Sequence, residues 1–211
     1  MLFNSFEFLV FLPIFFLLYW WVFDYLIKNN KHQLFFQNLL VVVASYLFYG
    51  WWDWRFLVLI AFTSLCSFLS GIAIDKSSTK QFKTFWMVLN VVVNLSILGV
   101  YKYYDFFVSS LASAFNINAE THLLHLVLPV GISFYTFQAL SYSIDVYRKK
   151  LEPTRDIVSF FAFLSFFPQL VAGPIERATN LLPQFLKKRS FNYTKAVDGL
   201  RQILWGMFKK V

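Results

Sequence analysis

The chain has 211 residues, of which 58% are hydrophobic, 22% aromatic and 14% charged, against about 45–50% apolar and 25% charged residues in soluble proteins. With a mean hydropathy of +0.57, this composition excludes an ordinary soluble domain and points to an integral membrane protein. The formal charge of +8 does not point to nucleic acid, because the basic residues stand between apolar runs, where they report membrane orientation.

The first apolar run, 6–23, has no Lys or Arg ahead of it and no small-residue cleavage site behind it. It therefore reads as a retained span and not as a secretory signal peptide. Further spans are predicted at 34–52, 56–74, 85–104 and 123–147, each long enough at about 1.5 Å per residue to reach across a hydrocarbon core of about 30 Å. All are expected to be helical, since lipid leaves no water to satisfy open backbone groups. The expected fold class is all-α, a polytopic transmembrane bundle. The single cysteine, Cys66, lies inside an apolar run as a packing residue, and one cysteine excludes a disulfide within the chain.

Loops rich in Lys (Lys28 and Lys31; Lys76, Lys80 and Lys83; Lys149 and Lys150) alternate with loops holding few charges. That alternation predicts the amino terminus outside and the basic loops in the cytoplasm. The next apolar stretch, "IVSFFAFLSFF" from Ile157, meets Pro168, Gln169, Gly173 and Pro174, so its uninterrupted part is about half a span. The segment after it, 176–211, carries Arg177, Lys187, Lys188 and Arg189. Residues 157–175 are accordingly expected to form a re-entrant or in-plane element on the cytoplasmic side, a simple straight span being the alternative. Asn192 then caps a helix with Leu200, Ile203, Leu204, Met207 and Phe208 at helical spacing. The chain is expected to be the amino-terminal part of a longer protein.

The stretch "LPVGISFYTFQ" from Leu128 places a proline, a glycine and several polar side chains inside the fifth span. Tyr135, Gln138, Tyr142 and Asp145, spaced by three, four and three residues, share one helical face, and Ser133, Thr136 and Ser141 add polar groups. Such a stripe is costly against lipid and turns inward, either to line a wet cavity or to bond neighbouring helices. Pro129 and Gly131 are expected to open or bend the outer part of the span. Asn38, Asn90 and Asn94 read as inter-helix hydrogen-bonding amides, and Lys102 with Asp105 as a locally paired couple. His122 and His125 stand at the outer mouth of a span with no partner at metal-ligand spacing, so no metal is expected. No nucleophile-elbow, P-loop, dinucleotide or CxxC pattern occurs.

Five stretches carry a resemblance: "MLFNSFEFLVFLP", "ASYLFYGWWDWRF" from Ala44, "KYYDFF" from Lys102, "LPVGISFYTFQALSYSIDVYRKK" from Leu128, and "FLSFFPQLVAGPIERATNLLPQF" from Phe163. In this order they resemble the bacterial, alginate O-acetyltransferase-like branch of the membrane-bound O-acyltransferase family. The resemblance implies a funnel into the membrane, through which an acetyl group passes from a cytoplasmic acyl donor, ultimately acetyl-coenzyme A, to hydroxyls of an exported polysaccharide acceptor. It also implies partner acyltransferase proteins on the outer face and no bound cofactor. Tyr135, Gln138, Tyr142 and Asp145 become candidates for the funnel lining, and Pro168, Gln169, Gly173, Pro174 and Arg177 for the donor entrance. In this family the base is a histidine in a Trp-His motif; this sequence has no Trp-His pair, so the catalytic histidine is expected beyond Val211. A transporter or channel subunit, or a non-catalytic export scaffold, are the alternatives, because broken helices and midplane polar residues also mark substrate pathways.

Overall fold

The computed structural model describes residues 3, 5–22, 30–115, 123–170, 173 and 176–210. Every regular element among them is helical. Helix α1 (Phe6–Leu17) starts where the Ser5 hydroxyl accepts from the Phe8 amide at 3.3 Å and runs into a π-helical turn, Leu18–Val22. Helices α2 (Asn30–Gly50) and α3 (Phe56–Lys76) are joined by a tight turn. There the Asp53 carboxylate accepts from the Arg55 backbone at 2.9 Å and pairs with its guanidinium at 2.7 Å. Helix α4 (Lys80–Leu98) is capped by Thr79 and continues through a second π turn, Gly99–Tyr103, into α5 (Tyr104–Ala114). Then follow α6 (Ile132–Tyr147), α7 (Ile157–Leu164), α8 (Phe167–Leu170), α9 (Ala178–Leu186) and α10 (Tyr193–Lys210). The Asp156 carboxylate caps α7 by accepting from the Val158 and Ser159 amides, and the Asn192 side chain caps α10 by accepting from the Lys195 amide.

Among the described residues, His32–Gly50, Phe56–Lys76 and Lys80–Ala114 are long and apolar enough to cross a membrane, whereas Phe6–Val22 is shorter. The run expected as one helix over 123–147 is helical only from Ile132.

Helix α6 packs on α3 and α4, and α7 lies against α2. Tyr135, Ala139, Tyr142, Phe160, Phe163 and Leu164 are fully enclosed at the centre. Between helices in lipid, association rests on close packing and on polar bonds, since hydrocarbon competes for every apolar surface. Both devices are present. Gly71 of α3 gives way to the ring of Tyr142: a Cβ added there would stand 2.5 Å from its hydroxyl oxygen. Asn90 of α4 accepts from the Ser67 hydroxyl of α3 at 3.2 Å and donates to the Ser143 hydroxyl of α6 at 2.7 Å, joining three helices through one amide. The Tyr142 ring meets Phe160 edge-on with centroids 4.6 Å apart, a geometry that contributes about 0.5–1.5 kcal/mol beyond area burial. Ser159, Phe160, Ala162, Phe163 and Leu164 of α7 are buried in protein, the condition under which a helix too short to span would be tolerated at membrane depth.

Candidate functional site

The start of α6 sets the site. Pro129 has no amide proton and disfavours a helical residue before it, while Gly131 adopts φ +77°, a left-handed conformation that suits glycine. The backbone from 123 to 129 is non-helical, so Pro129 and Gly131 do not bend a continuing span; they mark where helix begins. Two side chains satisfy part of this irregular backbone: the Tyr49 hydroxyl donates to the Val130 carbonyl at 2.6 Å, and the Asp105 carboxylate accepts from the Leu124 amide at 2.9 Å. Asp105 is therefore not paired with Lys102, whose ammonium donates to the Ser133 hydroxyl at 3.3 Å. The π turn at Gly99–Tyr103 widens the helix there by a residue, which breaks the register that a three-residue spacing presumes.

The predicted stripe lies on α6 as a buried seam. Tyr135 and Tyr142 are 0% exposed, Gln138 4% and Asp145 8%. The seam meets protein on α3, α4 and α7, not lipid. The Gln138 amide donates to the Phe163 carbonyl at 3.4 Å and to the Gln169 side-chain oxygen at 3.5 Å. Both contacts are at the long limit of hydrogen bonding, so this amide is lightly held. The hydroxyls of Tyr135, Thr136 and Tyr142, and that of Thr63 on α3, are buried without a hydrogen-bond partner among the described residues. Buried hydroxyls are normally bonded. With the Tyr46 hydroxyl of α2, which also lacks a partner there, these hydroxyls leave polar groups with spare donor and acceptor capacity inside the bundle.

The broken element sits beneath the seam. Helix α7 ends at Leu164, and the chain turns at Ser165 and Phe166 before α8. The break does not arise at Pro168, as the sequence suggested, because Pro168 occupies the first turn of α8, where its missing donor is not required. The Ser165 hydroxyl instead bonds the Phe161 carbonyl at 2.7 Å, and the Ser45 hydroxyl accepts from the Phe167 amide at 3.2 Å. Pro168, Gly173 and Arg177 are exposed, and Gln169 points inward to Gln138. Arg177 opens α9 through its backbone carbonyl alone, leaving its side chain uncommitted to capping. Pro174 lies outside the described residues, as does His122. His125 is exposed on the irregular backbone with φ 47°. No group of three potential metal ligands occurs among the described residues.

Sequence reasoning missed a second polar cluster. Asn38, read only as an inter-helix amide, donates to the Ser159 hydroxyl and to the Phe185 carbonyl, both at 2.8 Å. Its own side-chain oxygen accepts from Arg189, which also donates to the Tyr19 hydroxyl. An asparagine inside an apolar run was the available signal; nothing local separated Arg189 from the neighbouring Lys187 and Lys188.

Comparison with known proteins aligns the whole chain. The probable alginate O-acetylase of Pseudomonas putida is 41% identical over 216 residues, covering 100% of this chain and 42% of the relative. For the probable alginate O-acetylase of Pseudomonas aeruginosa the figures are 38% identity, 100% and 39%. The peptidoglycan O-acetyltransferase of Helicobacter pylori is 32% identical over 240 residues, covering 100% of this chain and 44% of the relative. The chain thus spans about two fifths of the length of these relatives. No family model and no solved structure matches it. Over its whole length the chain is homologous to the alginate O-acetylases and the peptidoglycan O-acetyltransferase, and so resembles about two fifths of a membrane-bound O-acyltransferase-like protein.

Proposed function

We infer that the chain is part of an integral-membrane O-acyltransferase that moves acetyl groups from a cytoplasmic donor, ultimately acetyl-coenzyme A, to hydroxyls of an exported, alginate-like polysaccharide. The observation that carries the reading is the similarity, over the whole of this chain, to proteins whose names share O-acetyl transfer and differ in the polymer acetylated. In support, the two longest stretches of family resemblance meet in space where Gln138 touches Gln169. The protein would lie in a bacterial cytoplasmic membrane with its amino terminus outside. Accessory acyltransferase proteins on the outer face would share the acceptor step.

Transfer requires the acceptor oxygen to attack the acetyl carbonyl, a base to take the hydroxyl proton, and the donor thiolate to leave. The base is a histidine expected beyond Val211. In this chain Tyr135, Gln138, Tyr142 and Asp145 are the candidates for the funnel lining, a buried polar face that would have to open for two hydrophilic substrates to meet along it. Pro168, Gln169, Gly173, Pro174 and Arg177 shape the donor entrance, where the exposed Arg177 guanidinium offers a cation to donor phosphates.

The test is to express the uninterrupted reading frame, supply labelled acetyl-coenzyme A and follow label into candidate glycans. Acetylated alginate-like polymer is the expected product; no transfer, with ligand-gated flux in liposomes, would establish a transporter instead. Within this assay Gln138→Leu is expected to lower transfer at least about tenfold, or about 1.4 kcal/mol of transition-state stabilisation. The yield of folded protein should fall by less than about half, because the long bonds of this amide add little to the fold. Equal loss of both would make Gln138 a structural residue.

A further inference from the structure

Among the described residues, Arg189 presents a charge without a counter-ion. Its guanidinium lies over the rings of Tyr19 and Phe185, each centroid 5.4 Å away. Its two terminal nitrogens donate to neutral oxygens, the Tyr19 hydroxyl and the Asn38 amide oxygen. The third donor position, Nε, is buried and unused. Among the described residues no carboxylate is paired with it. The nearest carboxylate through the bonding chain is Asp156, reached by way of Asn38 and Ser159 and already capping α7. A partly buried cation without a counter-ion is costly, and neutral oxygens and ring faces offset only part of that cost.

Beside this cation the protein leaves space. A cavity of about 200 Å³ opens between α1, its π turn, α9 and the turn before α8, lined by Phe15, Tyr19, Phe166, Leu181, Phe185 and Arg189. The volume is below the roughly 300–1,000 Å³ of sites that enclose a whole ligand, so it suits one end of a longer molecule. Its walls are aromatic and aliphatic apart from the guanidinium and the exposed amide of Gln184 at the rim. Phe191, packed on Phe16, Trp20 and Trp21, fastens the segment that delivers Arg189. One unneutralised, fork-shaped cation beside a small apolar cavity selects a ligand with two parts, an anion matching a guanidinium and an apolar chain.

We propose that this cavity is a phosphate-binding site for an amphiphile, the phosphate seated on Arg189 and the apolar chain held between Phe15, Phe166 and Leu181. Two sources share that chemistry: an acidic membrane phospholipid and a phosphorylated acyl carrier such as coenzyme A. The site does not touch the α6 seam and stands whether or not the chain takes part in acetyl transfer.

The experiment is native mass spectrometry of the purified chain, offered phosphatidylglycerol, diacylglycerol with the same acyl chains, or coenzyme A. Phosphatidylglycerol is expected to be retained and diacylglycerol lost. Arg189→Gln should lower the retained fraction about ten- to a hundredfold, the loss of a charge-assisted hydrogen bond. Arg189 also ties the π turn after α1 to α2, so its replacement risks the fold, and Gln184→Glu provides the independent variant. It places a carboxylate at the cavity rim without disturbing the bonds of Arg189, and should expel the phosphate to a similar degree. Coenzyme A displacing phosphatidylglycerol from the unchanged chain would support the phosphate site and identify a soluble donor as its second occupant. Unchanged retention in Gln184→Glu, equal retention of diacylglycerol, or no retention of either phosphate compound would overturn the proposal.

Discussion

Gly131→Ala is expected to abolish the folded state of the seam, lowering stability by about 3–5 kcal/mol, the sum of a strained left-handed residue and an overpacked contact. Gly131 has φ +77°, and a Cβ built on it would stand 2.3 Å from the backbone carbonyl oxygen of Leu170. A side chain at the contact would rotate away, but a carbonyl at the end of α8 moves only if the helix moves. Displacing α8 in turn separates Gln169 from Gln138 and Phe167 from Ser45. Two other glycines calibrate the effect. At Gly173 an added Cβ meets Gln169 at 3.5 Å, an ordinary contact, and at Gly206, inside α10, it meets nothing within 4 Å. Gly173→Ala should be close to neutral. Gly206→Ala should gain roughly 0.5–1 kcal/mol of helix stability. Thermal unfolding of detergent-extracted protein, followed by size-exclusion chromatography, measures all three; a Gly131→Ala protein that melts with the other two would refute the account.

The contrast shows which features were legible in the sequence. Caps were readable where a side chain bonds its own neighbourhood, as with Asn192. The shared face of Tyr135, Gln138, Tyr142 and Asp145 followed from helical spacing, and its burial from the cost of polar groups in lipid. The meeting of Asn90 with Ser67 and Ser143 was foreshadowed by an amide in an apolar run. What escaped depended on partners distant in the chain. "PVG" announced an interruption, but whether it bends a helix or begins one is decided by Tyr49 and Leu170, 81 residues before Val130 and 39 after Gly131. A π turn leaves no compositional mark at Gly99–Tyr103, yet it divided Lys102 from Asp105. Among three consecutive cations, Arg189 differs from Lys187 and Lys188 in its donor geometry, and only the packed fold brings Tyr19 and Asn38 to that fork.

Asn38 is where that distant information concentrates, and Asn38→Leu is expected to be the most damaging replacement of a polar side chain, at about 3–5 kcal/mol. Asn38 and Asn94 are both asparagines at 0% exposure in apolar helices, so burial alone predicts the same cost for losing either. Their partners differ. Asn94 donates only to the carbonyl and side-chain oxygen of Asn90 in its own helix, and its own oxygen is already without a partner. Replacing it removes one unsatisfied group together with a local bond, an exchange that is close to neutral. Asn38 joins α2 to Ser159 of α7, to the carbonyl of Phe185 at the end of α9, and to Arg189. Leucine leaves all three without it, the costliest being a guanidinium reduced to a single tyrosine oxygen in a partly buried site. Melting temperatures should therefore fall by about 10 °C for Asn38→Leu and by no more than about 2 °C for Asn94→Leu. Adding Arg189→Met to Asn38→Leu should recover part of the loss, since an uncompensated charge costs more than an apolar side chain in its place. Recovery with equal damage from the two asparagines would be contradictory under this scheme; equal damage without recovery would assign the cost to amide burial and remove Arg189 from the account.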